Sequence, residues 1–168
     1  MGHQEHRAKA PKMVRVAVLS VSSTRSLADD ESGHWIAEKA RSQGHSVVVH
    51  QVVSDDISAI RQAVLEMLAD AAPEAIIVTG GTGISPKDVT IEALQPHFTK
   101  ELSGFGSLFA QLSYDEVKAA AIISRATAGV VGRAIVFCLP GSLKACQLAC
   151  NALIFPELGH LVGHAFRE

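Results

Sequence analysis

The chain has 168 residues, 48% of them hydrophobic, which suits one globular domain with a sizeable core and leaves little room for two. A formal net charge of −2, with acids and bases interspersed, excludes the basic stripe that a nucleic-acid binder needs. No run of about 18 apolar residues marks a membrane span, and the polar start lacks a signal-type apolar stretch, so a cytoplasmic protein without membrane partners is expected.

Residues 1–12, with His3 and His6 among scattered charges, read as a flexible N-terminal arm, and 13–168 as a single domain. "VRVAVLSV", Val14 to Val21, is β-branched and apolar and fits a strand buried on both faces. Asp29, Asp30 and Ser32 open a helix whose inner face carries Trp35, Ile36 and Ala40 and which stops at Gly44. "SVVVHQVV", Ser46 to Val53, is the second strand, followed by a helix with Ile57, Ile60, Val64, Leu65 and Leu68 on one face. "EAIIVT", ending at Thr79, is the third strand and "RAIVFCLP", ending at Pro140, the fourth. Between them fall a short helix from about Ile91, the apolar helical stretch "SGFGSLFAQLS" and the loop-like "SRATAGVVG". Two further helices, in "SLKACQLACNALIF" and "PELGHLVGH", close the chain. Strands alternating with helices predict an α/β fold, a mostly parallel sheet covered on both faces.

In such sheets ligands bind outside the carboxyl ends of the strands. Thr79 runs into Gly80-Gly81-Thr82-Gly83, a loop that is either a tight turn or a cradle of N–H groups for an anion. It matches neither a P-loop nor a dinucleotide fingerprint. If Ser85 caps the next helix, Asp88 completes a capping box; if Thr90 is the cap, Lys87 and Asp88 stand free in the loop. The β-branched Val89 and Thr90 favour the second arrangement. Asp55 and Asp56 follow strand two, either as an acidic cap or as a carboxylate facing Asp88 across neighbouring strand ends, where two hard oxygen ligands and a phosphate suit Mg²⁺. Pro140-Gly141-Ser142 opens a helix whose N–H groups can take an oxyanion, and Ser124-Arg125 places a forked cation in a small-residue loop. Cys138, Cys146 and Cys150, an odd number, read as reduced buried thiols, and the pair Cys146 and Cys150 lacks the partners of a zinc site. His160 and His164 lack a third ligand and read as surface residues. Ser20, Ser22 and Ser23 have no context for a serine nucleophile.

"TGGTGISPKDVTIEAL" is similar to the long TGGTG-to-acidic signature of the MoaB/MogA molybdopterin-binding family, and the likeness extends through "GFGSLFAQLS", "IISRATAG" and "FCLPGSLKAC". The spacing most resembles MoaB-type members. The resemblance implies a three-layer α/β/α sandwich that binds molybdopterin, a pterin dithiolene with a terminal phosphate. It further implies Mg-ATP-dependent adenylylation of that phosphate, with the essential acids at Asp55 and Asp88, both also holding the metal. Thr79, Gly80, Gly81, Thr82, Gly83, Lys87, Ser124, Arg125, Pro140, Gly141 and Ser142 would bind the pterin and phosphates. Homo-trimers or hexamers and contact with other molybdenum cofactor biosynthesis proteins follow from the same resemblance, and the apolar segment around Phe105, Leu108 and Phe109 reads equally as an interface or as core. A carrier that binds molybdopterin without transferring AMP is the alternative, and a generic nucleotide-binding domain a third. Three departures stand out: "SVSSTRS" where relatives carry an acidic Ser-Asp, Lys87 where Arg is usual, and Ile91 where Pro is usual.

Overall fold

A computed structural model describes residues 10–166. Of the N-terminal arm, residues 1–9 with His3 and His6 lie outside the described part. Strands β1 (Arg15–Val21), β2 (Ser46–Val53), β3 (Ala75–Thr79), β4 (Lys100–Glu101), β5 (Thr127–Val131) and β6 (Ala134–Leu139) form one sheet in the order β2-β1-β3-β6-β5-β4. β2, β1, β3 and β6 run parallel, while β5 and β4 add an antiparallel edge. Helices α1 (Glu31–Ser42), α2 (Ile57–Glu66), α3 (Thr90–Leu94), α4 (Ser103–Val117), α5 (Leu143–Ala149) and α6 (Leu158–Phe166) complete the chain, α2 and α5 each running on into a π-helical turn.

Alternation along the strands makes three layers. Val16 and Val18, Ala75 and Ile77, and Ile135, Phe137 and Leu139 face one core with Ile36, Phe109, Cys146 and Leu158 from α1, α4, α5 and α6. Their neighbours Ala17 and Leu19, Ile76 and Val78, and Val136 and Cys138 face the other core, with Ile60 and Val64 from α2 and Leu94 from α3. A strand whose two faces are both covered must be apolar throughout, which is why these strands read as unbroken hydrophobic runs. Each fully buried Leu or Ile contributes about 1.5–3 kcal/mol.

The expected helices and the four parallel strands are present, with corrections. "SRATAGVVG" is not all loop: Thr127–Val131 is β5, buried at Thr127, Ala128 and Gly129. The ring of Phe98 sits where a Cβ on Gly129 would be, so a strand-weakening glycine makes room for an aromatic cover. On α2 the buried face runs through Ile60, Ala63, Val64 and Met67, and Ile57 and Leu65 fall on exposed flanks. Ala10 and Pro11, assigned to the arm by sequence, lie against Gly159 and Gly163 of α6.

The order β2-β1-β3-β6 sets the position of any ligand. From β1 the chain crosses to β2 on one side, and from β2 it returns to β3 on the other, so connections diverge between β1 and β3. Open α/β sheets leave a crevice at such a switch point.

Candidate active site

A cleft of about 510 Å³ opens at that switch point, a size suited to a small organic ligand. Its wall takes Val21, Ser22, Thr24 and Arg25 from beyond β1, Gly80 to Gly83 and Asp88 from beyond β3, Ile123 and Ser124 from before β5, and Pro140, Gly141 and Ser142 from beyond β6.

The glycine loop is shaped from below. Gly80 and Gly81 have φ of +97° and +68°, a left-handed conformation that favours glycine, and a Cβ on Gly80 would run into the Val21 carbonyl. The Gly80 N–H donates to the Leu139 carbonyl (2.9 Å), which holds the loop to β6. The Thr90 hydroxyl donates to the Gly80 carbonyl (2.8 Å) and the Thr90 N–H to the Gly81 carbonyl (2.9 Å). Thr90 is therefore not the cap expected from sequence. It is the first residue of α3, fully buried, with Val89 at the cap position, and its hydroxyl tethers the loop. Asp88 does stay in the loop, where its carboxylate accepts from the Ser85 N–H (2.9 Å) and closes a turn.

Loop construction leaves donors unspent. The N–H groups of Gly81, Thr82 and Gly83 make no hydrogen bond with any described residue, and the buried Thr82 hydroxyl has no partner among them either. Buried polar groups are nearly always paired, so the unpartnered hydroxyl of buried Thr82 points to a ligand, and the half-buried N–H groups of Gly81 and Gly83 beside it are open to the same ligand.

Beneath the cleft the polar groups are satisfied. Buried Asp30 caps α1, accepting from the Gly33 N–H (3.1 Å), and also pairs with the Ser20 hydroxyl (2.5 Å) and the His50 ring (2.7 Å). Burial pushes its carboxyl up, but the bonds from His50, Ser20 and Gly33 outweigh that and hold it below the ordinary value. Thr79 donates to the Pro140 carbonyl (3.0 Å) beside the Cys146 thiol, and Ser32 donates to the Gly141 carbonyl (3.0 Å). Ser142 caps α5, accepting from the Ala145 N–H (3.2 Å). All three cysteines are buried and free, burial pushing the Cys138 thiol up to about 12.

Nine of the residues anticipated for the site share the cleft wall: Gly80, Gly81, Thr82, Gly83, Asp88, Ser124, Pro140, Gly141 and Ser142. Four do not. Thr79 lies beneath, and Lys87 is exposed on the outer turn. Arg125 braces the loop instead of facing the cleft: its Nε donates to the Thr82 (2.9 Å) and Gly83 (3.0 Å) carbonyls and its fork to both oxygens of Glu92 (2.6 and 3.3 Å). That bond holds the Glu92 carboxyl below its usual range and pushes the guanidinium up. Asp55 follows the edge strand β2, one strand away from the switch point, and is bonded to Ser23, the neighbour of the cleft-lining Ser22 and Thr24. Asp55 and Asp88 lie at the same edge of the sheet, since β2, β1 and β3 are parallel and Val21 pairs with Val53 and Ser20 with Thr79.

Sequence reasoning considered Ser22 only as a nucleophile and missed Thr24, Arg25, Val21 and Ile123 as wall residues. The run of small hydroxyls after a buried strand was the available signal for Ser22, Thr24 and Arg25. His160 pairs with Glu157 and stacks on His164, and no cluster of three metal-ligating side chains occurs among the described residues.

The family model described as "probable molybdopterin binding domain" matches residues 17–160. The chain belongs to this family. The chain is 46% identical over 163 residues to molybdenum cofactor biosynthesis protein B of Bacillus subtilis (strain 168), covering 96% of each chain. A crystal structure of a molybdenum cofactor biosynthesis protein B superposes with a TM-score of 0.90 at 42% identity, covering 95% of this chain and all of that one. The tungsten cofactor synthesizing protein MoaB from Pyrococcus furiosus superposes with a TM-score of 0.82 at 38% identity, over 95% of this domain and all of that chain. The parallel sheet with helices on both faces is thus the fold of MoaB and MogA structures, as the resemblance implied.

Proposed function

We propose that the protein works in molybdenum cofactor biosynthesis, binding molybdopterin in this cleft and transferring AMP to it from Mg-ATP. An oxygen of the pterin's terminal phosphate attacks the α-phosphorus of ATP, the bond from that phosphorus to the bridging oxygen breaks, and pyrophosphate leaves with the bonding pair. One observation carries the reading: three consecutive unspent N–H groups, Gly81 to Gly83, stand beside Asp88 on the wall of a ligand-sized cleft. Preorganised donors of this kind stabilise phosphate charge without reorganising during reaction.

Asp88 on the cleft wall, with Asp55 at the same end of the parallel strands, would hold a magnesium ion together with substrate phosphates. Asp55 and Asp88 each have one carboxylate oxygen engaged, by Ser23 and Ser85, and the other without a partner among the described residues. Mg²⁺ is commonly bound by one or two carboxylates plus phosphates and waters, and it supplies charge neutralisation. Gly141 and Ser142 would position the pterin, with Ser124 across the cleft. Arg125 would act indirectly, by holding the loop carbonyls outward so that the N–H groups face in.

The carrier reading draws on the displacement of Asp55 from the cleft wall, which leaves Asp88 as the cleft's own acid. Incubating the purified protein with molybdopterin, ATP and Mg²⁺ separates the two. Pyrophosphate release supports adenylylation; molybdopterin binding without release under saturating Mg-ATP establishes the carrier.

An oligomer would draw on the outer side of α4 and the turn after it. Phe105 and Phe109 are core residues, but Leu108, Val117 and Ile122 are exposed, Ile122 at 83%. Light scattering of Ile122→Asp should show a smaller species than the parent protein.

A further inference from the structure

The geometry points to Arg25 as the cation that grips a phosphate group in the cleft, an inference resting on the phosphate-binding reading above. Three basic side chains belong to the segments around the glycine loop. Arg125 is committed to Glu92 and to the carbonyls of Thr82 and Gly83, and Lys87 stands on the exposed outer turn away from the cleft wall. Arg25 is different. It lines both the main cleft and the small space behind Gly80 and Gly141, and its guanidinium makes no hydrogen bond or ion pair with any described residue. Its backbone is fixed: the Thr24 and Arg25 N–H groups both donate to the Ser22 hydroxyl (3.3 and 3.2 Å), and Ser22 in turn donates through its N–H to the Val53 carbonyl (2.8 Å). Arg25 is exposed like Lys87, but unlike Lys87 it belongs to the cleft lining, so a fork free of other partners stands on a held backbone within reach of the unspent N–H groups of Gly81 to Gly83.

A phosphate held there meets backbone donors and a bidentate guanidinium, the geometry that arginine matches and lysine does not. A cation on this wall adds to the charge that offsets Asp88 when a dianionic group approaches. This assignment accounts for a basic residue in "SSTR" at the end of β1.

Calorimetric titrations of the parent protein, Arg25→Gln and Arg25→Lys with molybdopterin, with its dephosphorylated form and, separately, with Mg-ATP test the inference. Losing a charge-assisted pair should weaken the phosphate-bearing ligand about 10- to 100-fold in Arg25→Gln. The dephosphorylated pterin should bind as before, Arg25→Lys should recover part of the loss, and the thermal midpoint should not move. A loss confined to molybdopterin assigns Arg25 to the pterin phosphate, and one confined to Mg-ATP assigns it to the nucleotide; either supports the grip. Arg41→Gln, which removes the same charge from the far end of α1, should bind as the parent. Unchanged affinity of Arg25→Gln for both phosphate ligands overturns the inference and leaves the proposed function standing. A parent protein that binds neither overturns both.

Discussion

The floor and the rim of the cleft are built on opposite terms. On the floor, Asp30, Ser20, His50, Thr79, Cys146 and Ser32 spend their hydrogen-bonding capacity on one another or on nearby backbone. At the rim, Gly81 to Gly83, Arg25 and one oxygen each of Asp55 and Asp88 keep theirs. A group paired inside the protein stabilises the fold, whereas a donor or acceptor left without a partner beside a cleft is free to meet a ligand. Floor substitutions should therefore be read out in stability and rim substitutions in binding and rate.

The sharpest test is at the rim. Asp88→Asn keeps the acceptor for the Ser85 N–H, so the loop turn survives, but it removes the charge that a magnesium ligand supplies. Pyrophosphate release should fall on the order of 100-fold or more while the thermal midpoint stays put. Asp55→Asn should behave alike; full activity in that variant would move Asp55 out of the rim and leave it as the partner of Ser23.

Next in size is the floor. Asp30→Asn keeps a capping oxygen but breaks the charge-assisted bonds from Ser20 and His50, and denaturant unfolding should show a loss of about 2 kcal/mol. The sign with pH follows from the lowered carboxyl: its stabilisation is fully present above the unfolded Asp value of about 3.9 and is lost as pH falls through the folded value. Parent and variant stabilities should converge in acid. An undiminished gap there would show that the charge of Asp30 is not what matters.

Asp56 is a smaller case. Its side chain caps α2, accepting from the Ala59 N–H (2.9 Å), so Asp56→Ala should lose about 1 kcal/mol of stability and leave catalysis alone. Asp56→Asn should do less, since Asn caps as well. A large drop in rate would place the second acid of the site at Asp56 instead of Asp55.

The smallest effect belongs to Lys87. Exposed on the outer turn, it influences the cleft only through screened charge, and Lys87→Gln should change pyrophosphate release about threefold or less. A much larger loss would mean that the turn folds inward when ligand binds.

What could be read along the chain was whatever depends on residues a few positions apart. The alternating cores of β1, β3 and β6, the stop of α1 at Gly44 and the cap at Ser142 are local matters of period, glycine and hydroxyl. The glycine loop with Asp88 was equally legible, because a run of small residues after a buried strand is a local signal. β5 escaped because Gly129 breaks the strand pattern, and only Phe98, brought over it by β4 and β5 pairing, explains why a glycine belongs there.

Tertiary structure decided the rest, and each decision turns on residues far apart in sequence. Strand order put β2 at the edge, so Asp55 stands beside the cleft and not in its wall, although the sequence treats it as the equal of Asp88. A partner 33 residues away, Glu92, turned Arg125 from a ligand candidate into a brace. Arg25, visible in the sequence only as part of "SVSSTRS", gained its place because β1 lies next to β3 and brings its loop against Gly80. Composition and period can name the groups able to bind a phosphate. Which of them remain unpaired is settled only when distant strands and helices have taken the partners they need.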